Sequence, residues 1–135
     1  MDNKDWRERW LNSINELTSI GLQFTSWTNI RLDNPHWSYI EFSSCYFDDL
    51  SISEDYEDEI KIGLVNKSEF EIISDWHGRL LQYNPPNGDY YDNYSVLNDP
   101  KWIEIVEIGK QAKLILAEIL ISEERDILLE NKNVV

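Results

Sequence analysis

The fold class this chain predicts is α+β: an N-terminal helix, an antiparallel β-sheet of about five strands in a meander, and a long C-terminal helix packed on one sheet face. Three observations predict it. Apolar residues recur at helical spacing near both ends, the shorter runs between them alternate apolar with polar, and turn-forming residues separate those runs. With 135 residues, 41% hydrophobic and 13% aromatic, the chain has apolar mass for one core, and a single domain over 1–135 is expected.

The elements follow in order. Over residues 3–17, Trp6, Trp10, Ile14 and Leu17 form one stripe, with Lys4, Arg7, Glu8 and Asn12 away from it and Gly21 as a stop. Residues 22–32 and 36–47 read as two strands joined by a turn at Asp33-Asn34-Pro35-His36, with Ile40 and Phe42 on one face and Trp37, Tyr39, Glu41 and Cys45 on the other. Ile60, Ile62 and Leu64 predict a third strand, and Phe70 and Ile72 a fourth. Arg79 to Tyr83 follows as a fifth, after a turn at Asp75-Trp76-His77-Gly78. Residues 84–98 predict a long irregular loop, a length often tied to function. Asp99 as cap and Pro100 at the first helical position open the C-terminal helix, carried by Trp102, Ile105, Ile108, Ala112, Ile115, Leu116 and Ile119. Ser122-Glu123-Glu124 predicts the cap of a short extra helix within the tail 122–135.

Charge narrows the functional classes. The chain carries 26 acidic against 12 basic residues, a formal net charge of −14. Such a chain is repelled by phosphate backbones and anionic lipid, so direct nucleic-acid or membrane binding is not expected, and a basic protein is the favoured partner. Leu32 to Ile60 holds nine acidic residues and no Lys or Arg. Asp48, Asp49, Glu54, Asp55, Glu57, Asp58 and Glu59 form its densest part. Two readings stay open: a solvated segment whose charges deter edge pairing, or a face that steers a basic partner. Tyr90, Tyr91 and Tyr94, set among Asn, Asp and Gly, are candidate anchors, because Tyr is enriched at binding hot spots.

Catalytic and metal readings draw on few residues. Cys45 with His36 or His77, or Asp75 beside His77, are the nucleophile–base combinations the sequence offers, and no local signature accompanies them. With one Cys and two His there are too few zinc ligands. The segment 48–55 lacks the glycine of a calcium loop, and no glycine-rich phosphate loop is present. No catalytic residue, metal or cofactor is therefore expected. Met1 to Asp5 lacks the basic-then-apolar start of a signal peptide and no apolar run suits a membrane span, so a cytoplasmic location is expected, with a monomer favoured.

Trp6-Arg7-Glu8-Arg9-Trp10 with Ser13, then Leu32-Asp33-Asn34-Pro35-His36-Trp37-Ser38, resembles the immunity protein 53 family of bacterial polymorphic-toxin systems. Leu97-Asn98-Asp99-Pro100 leading into Trp102 to Val106 is similar in kind to that family's closing helix, while His36 stands where the family usually has glycine. The resemblance is most specific over residues 5–40. It implies a cytoplasmic immunity protein, not an enzyme, that binds and neutralises the C-terminal domain of a cognate toxin, a nuclease by preference. It carries over no residue roles. An acidic adaptor or nucleic-acid mimic that binds a basic host protein is the alternative, and a small enzyme a more distant one. The partner-binding candidates are Asp48, Asp49, Glu54, Asp55, Glu57, Asp58, Tyr90, Tyr91 and Tyr94.

Overall fold

The computed structural model describes residues 2–28 and 38–131. It corrects the fold class: every regular element among the described residues is helical, and none is a strand. The order is α1 (Asn3–Leu17), α2 (Ile20–Thr28), α3 (Tyr39–Phe47), α4 (Glu57–Lys61), α5 (Lys67–Gln82), a 3₁₀ turn (Pro86–Gly88), α6 (Asn93–Leu97), α7 (Pro100–Glu118) and α8 (Ser122–Leu128).

The terminal helices form over the predicted spans, although α1 ends at its cap, Thr18, and the predicted stop Gly21 lies inside α2. Trp6, Trp10, Ile14 and Leu17 are all buried on α1, and Asp2 caps it by accepting from Asp5 N at 2.8 Å. Asp99 caps α7 with Pro100 in its first turn. The extra helix α8 starts at Ser122, but Ile121 occupies the cap position and no side chain caps it.

Helices take the described parts of all five predicted strands, with 22–28 on α2, 39–47 on α3, 60–61 on α4 and both 70–73 and 79–82 on α5, and capping explains α3 and α5. Ser38 accepts from Glu41 N at 3.2 Å and opens α3, whose buried Tyr39, Phe42 and Tyr46 follow i, i+3, i+7. That pattern overlaps a two-residue alternation over so short a run. Asn66 and Glu69 make a reciprocal capping box that opens α5. Phe70, Ile73, His77 and Leu80 then keep helical spacing straight through Asp75-Trp76-His77-Gly78, which is helix interior and not a turn. The supposed third strand is α4 and its exit: Gly63 adopts φ +83° and ends the helix, leaving Ile62 exposed and Leu64 buried. Residues 84–98 are also more ordered than expected, since α6 buries Val96 and Leu97. The predicted turn at 33–36 and the strand positions 29–37 lie outside the described residues.

With no sheet to cover, α7 packs along α5. Gly109 makes the approach close: a Cβ there would sit 2.5 Å from Trp76 Nε1 and 2.6 Å from Thr18 Cγ2. Helix α1 packs on α2, α3, α7 and α8, so it lies at the centre. Trp10, Trp76 and Trp102 are among the largest fully buried side chains, and burying a large apolar side chain contributes about 1.5–3 kcal/mol. No helix among the described residues is long and apolar enough to cross a membrane.

Arg7, which the stripe pattern places away from the core, ties three elements together. Its guanidinium meets Glu69 of α5 and Glu124 of α8, both at 2.7 Å, donates to the Leu64 carbonyl at 2.7 Å and lies over the Trp10 ring. Burial alone would lower its pKa, but the bonds to Glu124 and Glu69 outweigh that and raise it, so the cation is locked.

Candidate functional site

The acidic segment runs from the end of α3 through the first turn of α4. Asp48, Asp49, Glu54, Asp55, Glu57 and Asp58 are all exposed. Glu59, the seventh acid, is buried and serves the fold: its Oε1 accepts from Ser53 N at 3.0 Å and Ser53 Oγ at 2.6 Å. Asp55 accepts from Glu57 N at 3.2 Å, and Glu57 and Asp58 lie at the positive end of α4.

A buried polar chain holds this segment. Trp10 Nε1 donates to Tyr56 Oη at 3.0 Å, the Tyr56 and Tyr46 hydroxyls are in contact, and Tyr46 meets His77 Nδ1 at 2.8 Å. His77 Nε2 meets the Glu54 carbonyl at 2.7 Å. A carbonyl only accepts, so Nε2 carries the proton and Nδ1 of the neutral ring accepts. The rest follows in one direction: Trp10 to Tyr56, Tyr56 to Tyr46, Tyr46 to His77, His77 to Glu54. Burial lowers the His77 pKa, against the pull of Glu59, Asp55 and Glu54, and burial raises both phenols.

The tyrosine segment is held differently. Tyr90, Tyr91 and Tyr94 are 45%, 83% and 62% exposed. Beneath them, Trp102 packs on Tyr39, Tyr83 and Trp27, and Tyr90 stacks on Tyr39 at 6.4 Å between ring centroids. Tyr83 Oη donates to the α7 cap Asp99 at 2.7 Å, and burial first, then this bond, raises the phenol's pKa. Asn93 accepts from Tyr39 N at 3.2 Å and so fastens α6 to α3.

The two segments share one border. A groove of about 280 Å³ between α3 and α5 is lined by both Asp48 and Tyr90, with Phe47, Leu80 and Leu81 among its walls. The structure therefore brings one member of each predicted set to a common groove. Tyr91 and Tyr94 do not line it, nor do Asp49, Glu54, Asp55, Glu57 and Asp58. Sequence reasoning missed the walls Phe47, Leu80 and Leu81, because their meeting depends on α3 and α5 being helices. The Ser38/Glu41 and Asn66/Glu69 spacings could have revealed that.

The nucleophile–base candidates do not converge. Cys45 lines a separate groove with Arg9, Glu16 and Asp49. Burial first, then Asp49 and Glu16, pushes its thiol up to about 11, away from the thiolate. His77 is engaged with Tyr46 and Glu54, and Asp75 pairs with Arg79 at 3.2 Å. His36 lies outside the described residues. Among the described residues, no group of three or more His, Cys, Asp or Glu is placed to hold a metal ion.

The architecture is a small acidic helical domain with an anionic segment and an aromatic one meeting at a groove. No family model, curated protein or solved structure matches the chain. The resemblance thus rests on the residues that carry it: Trp6 to Trp10 with Ser13, Leu32 to Ser38, and Leu97 to Val106.

Proposed function

We propose that this protein is an immunity-type inhibitor that acts in the cytoplasm by binding and neutralising the C-terminal domain of a cognate bacterial toxin, in stoichiometric complex and without catalysis. The observation that supports this most is the exposure of all nine candidate residues, with Asp48 and Tyr90 on one groove. Nuclease domains carry basic substrate grooves, and a protein of net charge −14 suits such a surface. Steering by Asp49, Glu54, Asp55, Glu57 and Asp58 would raise association toward ~10⁸ M⁻¹s⁻¹ at low salt. Tyr91 and Tyr94 supply apolar contact area once docked.

The test is capture of the domain encoded immediately upstream, followed by titration at two salt concentrations. Tight, selective binding that weakens with salt supports the inhibitor and its acidic face. Binding to many unrelated basic proteins with equal strength would replace it with an acidic adaptor or nucleic-acid mimic.

A further inference from the structure

The geometry points to the α3/α5 groove as a receptor for one arginine side chain of the partner, its guanidinium at Asp48 and stacked on Phe47 and Tyr90, its stem along Leu81. This rests on the reading of the partner as a basic protein and names the contact that would give it specificity.

The groove differs from its neighbours in charge. Three other grooves among the described residues each contain a cation: Lys110 and Lys113 in the α1/α7 groove, Arg79 and Lys101 beside α5, and Arg9 beside Cys45. The α3/α5 groove is lined by no Lys or Arg, and its acid, Asp48, is exposed and in no ion pair among the described residues. A cation entering here meets no competitor and no repulsion from the walls.

The walls favour arginine over lysine. Tyr90 is held in place by its stack on Tyr39, so one aromatic face is set before binding. Phe47 is fixed edge-on against Tyr46, 4.9 Å between centroids. A planar guanidinium stacks on such rings and bonds a carboxylate through two N–H groups, whereas an ammonium is a hydrated point charge that does neither as well. Leu81, 40% exposed, supplies apolar surface for the three-carbon stem.

The experiment is an amide NMR titration of the full chain with N-acetyl-arginine methylamide, its lysine counterpart and its norleucine counterpart as probes. Saturable shifts confined to Ser43, Asp48, Leu81 and Tyr90, stronger for arginine than for lysine, are expected, with roughly tenfold weaker binding in Asp48→Asn. Equal shifts with lysine, shifts spread along 48–58, or an unaffected Asp48→Asn would overturn the assignment. Leu81→Lys, which places a cation in the groove, separates this idea from the function itself. If the upstream-encoded domain binds Leu81→Lys as tightly as wild type, the groove assignment fails and the inhibitor reading stands. If that domain does not bind the wild type, the inhibitor reading fails and the arginine titration alone decides the groove.

Discussion

Two aromatic clusters hold the two candidate segments, and they are built on different principles. Trp10, Tyr46, Tyr56 and His77 anchor the acidic segment through a directed chain of hydrogen bonds that ends on the Glu54 carbonyl. Trp27, Tyr39, Tyr83 and Trp102 anchor the tyrosine segment mainly through ring packing, and the buried Trp27 Nε1 has no hydrogen-bond partner among the described residues. The first cluster specifies one geometry and one protonation state, because every link needs both neighbours. The second depends mainly on volume and shape, with Tyr83 donating to Asp99 and Trp102 to Gln23 at its edges. Atoms should therefore differ in worth between them: a single oxygen in the first outweighs several carbons at the edge of the second.

The largest effect is expected at the centre of the packed cluster. Trp102→Ala removes a fully buried ring and should cost about 3–5 kcal/mol in denaturant unfolding. A cost below 1 kcal/mol would show that α7 is not held there. Next comes the direct contrast. Tyr46→Phe removes one oxygen, leaves Tyr56 without an acceptor and His77 Nδ1 without a donor, and should cost about 3 kcal/mol. Trp27→Phe removes more atoms, yet relieves an unsatisfied indole N–H and should cost about 1 kcal/mol. The reverse order, measured in the same titration, would break the comparison.

Gly109→Ala should destabilise by about 1–3 kcal/mol, because the new methyl group meets Trp76 and Thr18 in a buried contact; a stabilised variant would mean the helix propensity of Ala wins.

Acid should act on the first cluster through His77. Charging His77 makes Nδ1 a donor, reverses the chain and leaves the Tyr56 hydroxyl proton without an acceptor. The folded pKa is lowered, so between that value and about 6.5 the unfolded chain binds more protons and stability falls as pH falls. Below the folded value the ring adds no further loss. His77→Gln should flatten the stability–pH curve in that window; an unchanged slope would assign the acid response to other groups.

The smallest stability change is expected at the surface. Replacing Glu54, Asp55, Glu57 and Asp58 by their amides should shift stability by about 0.5 kcal/mol or less per site. The same variant should slow association with the upstream-encoded domain about tenfold at low salt and much less at high salt. An association rate indifferent to these charges would remove the steering role.

The distribution of charge is easier to read from sequence than the fold. Acids packed between Leu32 and Ile60 without a balancing cation are legible because charge density needs no tertiary information, although only the structure separates buried Glu59 from its exposed neighbours. Arg7 was misjudged because the helical stripe reports apolar burial and does not show that Glu69 and Glu124 arrive from α5 and α8. The middle of the chain was misassigned because runs such as 39–47 and 70–73 fit both a period of two and a period near 3.6.

Sequence by itself determined α1 and α7, where long stripes and cap residues agree, and it determined the charge and the order of the acidic and aromatic segments. Tertiary structure alone decided that residues 39–47 and 67–82 are helices, that Asp48 and Tyr90 reach one groove, and that His77 is a neutral link in a buried chain. The physical reason is range: caps and periodicity are local, whereas a groove wall or a buried hydrogen bond exists only when distant residues meet.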